Sequence, residues 1–257
     1  MKAYAKINWA LRVTGKRPDG FHNIETLFQT ISLHDDLTFE RADRFSLTCD
    51  DPTIPIDETN LVARAATAIG VNARIHLQKR IPAGGGLGGG SSDAAAVLRE
   101  FNRKDPQIAL SLGSDVPFFL EGGTAYATGR GEVLTPLRRV APVPLLLLIP
   151  AERVLTAQAY GMLRRFSPPL GLDRYRAMIG DDLLDHATEL INDFEEAIFA
   201  KFPHLHALKT RLFEVGAAWA AMSGSGSTIV GAFRSQADRD AAVTRFAGVR
   251  AIACETL

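Results

Sequence analysis

Six of the seven residues from 84 to 90 are glycine, and two serines follow at once, in the run Ile81-Pro82-Ala83-Gly84-Gly85-Gly86-Leu87-Gly88-Gly89-Gly90-Ser91-Ser92. Backbone without β-carbons lets an anion come close to the amides, and glycine takes positive φ angles without strain. The alanine-rich stretch that follows, Ala94-Ala95-Ala96, favours helix, and the first amides of a helix point unpaired donors at an anion. The run therefore reads as a phosphate cradle. Ser91 and Ser92 add hydroxyls for phosphate oxygens or for a phosphate-bound magnesium. The plain alternative is a tight turn or a low-complexity linker, but linkers seldom join a strand to a helix with serines at the mouth.

Two common glycine motifs do not fit. The Walker pattern needs lysine and then serine or threonine after the last glycine, whereas Gly90 is followed by Ser91-Ser92. The Rossmann pattern needs an acidic residue closing a strand about 20 residues on, and residues 103–114 do not read as a strand.

Other residues of chemical interest carry weaker signals. Residues 5–13 alternate strictly, which puts Ile7, Trp9, Leu11 and Val13 on one strand face and Lys6, Asn8, Ala10 and Arg12 on the other. Lys6 and Asn8 thus project together, and on their own they mark a solvent face. Asp115, between a small-residue turn and an apolar run, reads as a cap or turn former. Phe21 and His22 sit just past a basic Pro-Asp-Gly turn, where they line a pocket or begin a strand. Thr156 and Tyr160 lie four apart on one helical face. A second small-residue loop, Ser223-Gly224-Ser225-Gly226-Ser227, interrupts a late strand pair.

The elements that must position these residues follow from periodicity. Strand patterns cover 27–31, 37–40, 45–49, 74–79, 124–128, 145–149, 219–222, 228–233 and 249–254. In the 74–79 strand Ile75 and Leu77 share one face and His76 and Gln78 the other. Helices are expected over 59–69 with Thr59 or Asp57 as cap, and over 92–102, 156–165, 192–200, 205–215 and 237–246. A sheet with helices segregated between its strands, in two halves, is an α+β expectation. Gly129-Arg130-Gly131-Glu132 makes a hairpin-style turn, and the character of the chain changes near 142–150.

Composition bounds the rest. The chain has 257 residues, 46% hydrophobic and 23% charged, which suits one large domain or two moderate ones sharing a cleft. Twenty-nine basic residues balance 29 acidic ones, so no whole-protein field draws in nucleic acid. Cys49 and Cys254 are expected as buried thiols. No apolar run is long enough to span a bilayer and no signal-peptide core is evident, so a cytoplasmic protein without membrane partners is the expectation.

Taken in order, Ala5-Lys6-Ile7-Asn8, the run from Pro82 to Ala96, and Ser223-Gly224-Ser225-Gly226-Ser227 resemble the three motifs of the galactokinase, homoserine kinase, mevalonate kinase and phosphomevalonate kinase (GHMP) superfamily. A narrower likeness, to a branch acting on a cytidine diphosphate-linked methylerythritol, rests on Ala5-Lys6-Ile7-Asn8, Arg17-Pro18-Asp19-Gly20-Phe21-His22, the run from Gly84 to Ser92, Gly113-Ser114-Asp115-Val116-Pro117-Phe118-Phe119, Gly129-Arg130-Gly131-Glu132 and Asn192-Asp193-Phe194-Glu195. These motifs spread over nearly the whole chain.

The resemblance implies a two-domain GHMP kinase fold. Residues 1–140 would be a ribosomal-protein-S5-like ATP-binding domain and 141–257 a ferredoxin-like GHMP domain, with the active site between them. It implies ATP and Mg2+ as cofactors, phosphorylation of the substrate's 2-hydroxyl in the non-mevalonate route to isoprenoid precursors, no nucleic-acid partner, and a monomer or weak homodimer. Asp115 would be the general base and Lys6 its cationic partner. Such a pair is chemically sensible, because an alcohol must lose its proton as it attacks the γ-phosphorus and a cation favours the charged carboxylate and offsets charge on the transferring group. Asn60, Lys79, Pro82 and the loop Gly84, Gly85, Gly86, Leu87, Gly88, Gly89, Gly90, Ser91 and Ser92 would hold ATP, with Ser91 or Ser92 nearest magnesium. Asn8, Phe21, His22, Thr156 and Tyr160 would hold the cytidine end, Tyr160 stacking on the base. Gly224, Ser225 and Gly226 would close on the transferred phosphate and the substrate tail.

The sequence departs from the pattern in three places. Phe21 replaces the usual tyrosine, which keeps stacking and loses a hydroxyl. The connection 102–111 is short, so a helix there is expected to be trimmed or absent. Asp93 suits a helix N-terminus on charge grounds but sits awkwardly beside phosphates. Two rival readings are a GHMP kinase for another small alcohol and a catalytically silent nucleotide- or RNA-binding protein.

Overall fold

A computed structural model describes all 257 residues. The chain forms two compact units that are interleaved in sequence. The first comprises Met1–Lys6, Leu33–Ala83 and Gly88–Gly122, and the second Ile7–Ser32, Gly84–Leu87 and Gly123–Leu257. Interleaving follows from strand length, because β1 (Lys2–Lys16) and β2 (His22–Arg41) run for 15 and 20 residues and each gives one end to each unit. Residue 140 falls within the second unit.

In the first unit the end of β2 pairs antiparallel with β4 (Ala73–Gln78), Asp36 opposite Gln78 and Arg41 opposite Ala73, and β3 (Ser46–Cys49) lies parallel to β4. β4 buries Ala73, Ile75 and Leu77 and exposes Arg74, His76 and Gln78, the alternation its sequence demands. Four helices accompany the strands: α1 (Leu61–Ala68), α2 (Gly89–Glu100), α3 (Pro106–Leu112) and α4 (Val116–Glu121). α2 packs against α1, α3 and α4. Its Ala94, Ala95 and Ala96 are fully buried, so small side chains let neighbouring helices approach it closely.

The second unit holds the first part of β2 against β5 (Thr124–Thr128), which pairs in turn with β6 (Val133–Pro136). It also holds a four-stranded antiparallel sheet in the order β10-β7-β9-β8, formed by β7 (Pro144–Ile149), β8 (Trp219–Met222), β9 (Ile229–Ala232) and β10 (Arg250–Glu255). Numbered along the chain that order is 4-1-3-2, the ferredoxin-like connectivity. Leu145 to Leu148 of β7 are all buried, as a continuous apolar strand between two others requires. α8 (Pro203–Glu214) packs on β8 and β9, and α9 (Gln236–Val243) on β7 and β10. α5 (Thr156–Met162), α6 (Leu172–Gly180) and α7 (Glu195–Lys201) complete the unit. The whole is a two-domain α+β fold.

Several sequence expectations need correction. The strands expected at 27–31 and 37–40 are one strand, β2, which runs unbroken through the residues between them. α1 is capped by Asn60, whose side chain accepts from the Val62 amide at 2.8 Å, while Asp57 accepts from the Thr59 amide and hydroxyl. A helix does form in the short connection: Asp105 caps α3 by accepting from the Gln107 amide, and Pro106 takes the first helical position. α2 begins at Gly89 rather than Ser92. The alternate face of β1 does not meet solvent: Lys6 and Asn8 are 3% and 2% exposed, because both faces of the strand are covered. Both cysteines are free thiols, Cys254 buried and Cys49 only partly so.

A buried charge cluster in the first unit holds both flanks of the glycine run. The Lys79 ammonium bridges the carboxylates of Asp35 and Asp93, at 2.9 Å from Asp93. Asp35 also accepts from the Arg80 and Ile81 amides at 2.5 and 2.8 Å, which fixes the chain entering the run. Asp93 lies in α2, so its link to Lys79 fixes the helix leaving the run. With all three groups ionised the cluster would carry a net negative charge out of water, which is costly. Burial, reinforced by Asp35 against the opposing pull of Lys79, pushes the Asp93 carboxyl up to about 7. The unfolded chain releases this proton near its ordinary value of 3.8, whereas the folded chain keeps it to about 7. Folding therefore loses stability as pH rises from about 4 to about 7. Asp93→Asn removes that loss, and the melting temperature of the variant relative to the parent is expected to be higher at pH 8 than at pH 4.5. Equal offsets at the two pH values would contradict the assignment.

Candidate active site

The glycine run is shared by the two units. In the first, Gly88 takes the left-handed conformation (φ 72°, ψ 18°) at the N-cap of α2, and no side chain caps the helix. The first-turn amides therefore remain available to an anion. Gly88 is obligatory for a second reason: a β-carbon there would stand 2.5 Å from the Phe119 ring and 3.2 Å from Cγ of Lys6. The two serines separate. Ser92 is fully buried and its hydroxyl donates to the Tyr4 carbonyl at 2.7 Å, whereas Ser91 is partly exposed in the helix's first turn.

Lys6 and Asp115 meet in the same unit, Nζ to Oδ2 3.8 Å. Asp115 occupies the N-cap position of α4 yet makes no capping hydrogen bond. Its carboxylate is a third exposed and faces Lys6 instead, which overturns the reading as a mere cap. Burial pushes the Lys6 pKa down, and Asp115 opposes that shift.

The other residues expected to hold nucleotide are engaged differently. Lys79 belongs to the buried cluster, and a β-carbon on Gly89 would lie 3.2 Å from its Nζ, so the ammonium sits beneath the start of α2. Asp93 turns toward this lysine, which removes the awkwardness of a carboxylate facing phosphate. Asn60 spends its side-chain oxygen on the α1 cap and donates to the Pro55 carbonyl at 2.7 Å. Pro82 is partly buried directly before the run.

In the second unit the first half of the run docks on the late Ser-Gly loop. The Ser223 hydroxyl donates to the Gly86 carbonyl at 2.9 Å, and the Thr228 amide to the Gly85 carbonyl at 3.3 Å. The fit at Gly86 (φ 76°) is absolute, since a β-carbon there would lie 2.0 Å from the Ser223 carbonyl oxygen. Gly224 and Gly226 both take positive φ, and the Gly226 amide closes back on the Ser223 carbonyl at 3.0 Å. Ser225 lies 3.0 Å, hydroxyl to hydroxyl, from Thr156.

His22 and Tyr160 are brought together as stacked rings, centroids 4.8 Å apart and 20° between planes. Tyr160 also meets Phe194 edge-on at 4.9 Å. Burial, aided by Lys16, depresses the His22 pKa, so its ring is neutral at pH 7. Phe21 stands apart from this stack, half exposed beneath the Arg130 guanidinium at 4.6 Å. Asn8 is buried and donates to the Thr26 hydroxyl at 2.7 Å. Two neighbours escaped the sequence reading: Phe166, tilted against His22 at 6.0 Å, and Arg130. The second was visible as part of a quoted motif without a role; nothing in the pattern marked the first.

Comparison with known proteins places this architecture. The profile for the GHMP kinases N terminal domain matches residues 60–123, and that for GHMP kinases C terminal matches 177–249. A 4-diphosphocytidyl-2-C-methyl-D-erythritol kinase of Chlorobium chlorochromatii is 41% identical over 94% of this chain and 91% of its own length. One from Salinibacter ruber is 40% identical, with 94% and 92% covered. A crystal structure of 4-(cytidine 5'-diphospho)-2C-methyl-D-erythritol kinase superposes with TM-score 0.84 at 35% identity, covering 100% of this chain and 98% of that one. Mevalonate kinase of L. major, at 16% identity and TM-score 0.71 over 99% of this chain and 94% of its own, shares the fold. With that likeness running through the whole length, the chain belongs to the 4-diphosphocytidyl-2-C-methyl-D-erythritol kinase family of the GHMP kinases.

Proposed function

We propose that the chain transfers the γ-phosphoryl group of ATP to the 2-hydroxyl of 4-diphosphocytidyl-2-C-methyl-D-erythritol, releasing ADP. The observation that carries the reading is Asp115: a carboxylate in a capping position that caps nothing and faces a buried lysine. In the reaction the hydroxyl oxygen bonds to the γ-phosphorus while the bond from phosphorus to the bridging oxygen breaks toward ADP. The hydroxyl proton passes to Asp115. Lys6 offsets negative charge on the transferring group. The α2 amides and the glycine run hold the donor phosphates. Lys79 supports them from beneath the helix rather than by direct contact. The division at residue 140 into an ATP-binding part and a GHMP part goes with the same proposal.

Magnesium fits this donor set. No three His, Cys, Asp or Glu side chains gather into a cage, and a magnesium ion carried by nucleotide phosphates needs few protein ligands. Ser91 is the serine to reach it, since the Ser92 hydroxyl is spent on Tyr4. When bound, the ion supplies neutralising charge on the phosphate oxygens. Tyr160, His22 and Thr156 hold the cytidine end, with Phe21, Asn8 and the 224–226 turn completing the substrate contacts.

The direct test incubates the protein with ATP and 4-diphosphocytidyl-2-C-methyl-D-erythritol and locates the new phosphate by phosphorus NMR. A phosphomonoester at the 2-position is expected; turnover of mevalonate or homoserine, with none of the cytidylyl compound, would overturn the reading. Asp115→Asn should lower kcat by about 10²–10⁴-fold and leave the ATP dissociation constant within about threefold of the parent; near-normal turnover removes Asp115 as the base. Because Lys6 must stay protonated and its pKa is depressed, kcat should fall with rising pH below the ordinary lysine value of 10.5. In Lys6→Arg this alkaline limb should move upward, since a guanidinium holds its proton to above about 12; an unmoved limb assigns it elsewhere. Tyr160→Ala should raise KM for the cytidylyl substrate about 5–150-fold, the worth of one base stack, with KM for ATP little changed. Equal effects on both constants would place the ring outside the base site.

A further inference from the structure

The motif Asn192-Asp193-Phe194-Glu195 has no part in the chemistry proposed above, yet two of its side chains, those of Asn192 and Glu195, are committed to the 222–224 segment that opens the Ser-Gly loop. Asn192 is 5% exposed. Its side-chain amide donates to the Met222 carbonyl at 2.6 Å and to the Gly224 carbonyl at 2.8 Å, while its oxygen accepts from the Phe194 amide at 3.0 Å. Glu195, braced by Lys209 at 2.6 Å, accepts from the Met222 amide at 2.7 Å. Asp193 anchors the motif to β1 by accepting from the Val13 amide at 2.7 Å and from the Ser167 hydroxyl at 2.7 Å.

The other end of the chain of bonds is the donor loop. Residue 222 ends β8, and the turn beyond it presents Ser223 to Gly86 and Thr228 to Gly85. One side-chain amide therefore ties the two carbonyls that bracket Ser223, and Ser223 ties the glycine run. A glycine-rich segment has little conformational preference of its own, so its order must come from such neighbours. Two donated hydrogen bonds from one buried, rigid amide supply it at low entropic cost.

We propose that Asn192 is a positioning residue for phosphate-donor binding: it fixes the 222–228 turn, and through Ser223 and Thr228 it fixes Gly86 and Gly85 in the form that accepts ATP. The inference rests on the reading that the glycine run binds ATP. Asn192→Asp keeps the volume and the acceptor for Phe194 but turns both donor contacts into oxygen facing oxygen.

The test is equilibrium binding of ATP, by calorimetry, to the full-length parent and to Asn192→Asp, with the melting temperature measured on the same samples. An ATP dissociation constant raised at least about tenfold, with KM for ATP rising in parallel, is expected of the folded variant. A merely structural asparagine would lower the melting temperature and leave ATP affinity of the folded protein unchanged, and that result overturns the proposal. Ser223→Ala, which removes only the bond to Gly86, provides the second measurement if Asn192→Asp does not fold; ATP affinity about threefold weaker is expected, and unaltered affinity overturns the proposal. A parent protein that binds no ATP would sink the functional reading itself, and this inference with it.

Discussion

No β-carbon can stand at Gly88, and much of the first unit is arranged around that constraint. The left-handed residue turns the chain into α2 without a side-chain cap, so the helix starts with bare amides. The space a side chain would fill is taken by the Phe119 ring and the stem of Lys6. The helix terminus that suits a phosphate is thereby packed directly against the lysine that pairs with Asp115. A single missing carbon connects electrostatics at the helix start with the placement of the lysine.

The two buried lysines of this unit show how environment separates like residues. Lys79 has two carboxylates for company, and although burial alone would depress its pKa, Asp93 and Asp35 together hold it above the ordinary value. It is a fixed structural cation. Lys6 has one carboxylate at 3.8 Å, and burial wins, so its pKa lies below the ordinary value. A group held nearer the point of losing its proton suits a place where charge moves during a reaction.

Much of this was legible in the sequence because local patterns and local structure agree. The alternation of 74–79 became β4 with the expected residues inside, and the serine–glycine loop does separate β8 from β9. The glycine run does join a strand to a helix. What failed to show were features decided by tertiary contact. The polar face of β1 looked like a solvent face because a single strand cannot announce that both of its sides are covered. Asp115 looked like a cap because its partner is 109 residues away, and only the folded chain shows that the cap is unused. The resemblance gave Lys79 to ATP, but the aspartates that absorb its charge, Asp35 and Asp93, stand 44 and 14 residues away along the chain. The unread α6 has a mixed pattern and no side-chain cap.

The His22–Tyr160 stack bears on how tightly a nucleoside can be held. The rings lie against each other at 4.8 Å, closer than the roughly 7 Å needed to sandwich a planar base between them. A cytosine entering there would exchange one aromatic contact for two, so the net gain is about one stack and not two. Affinity measured for the base is then a difference between competing ring contacts. On the proposal that these rings hold the cytidine end, the same exchange would run backwards when the product leaves, because the two rings would close on each other and recover part of what the base gives up. In that proposed role a self-stacked pair would temper binding and ease release in one device.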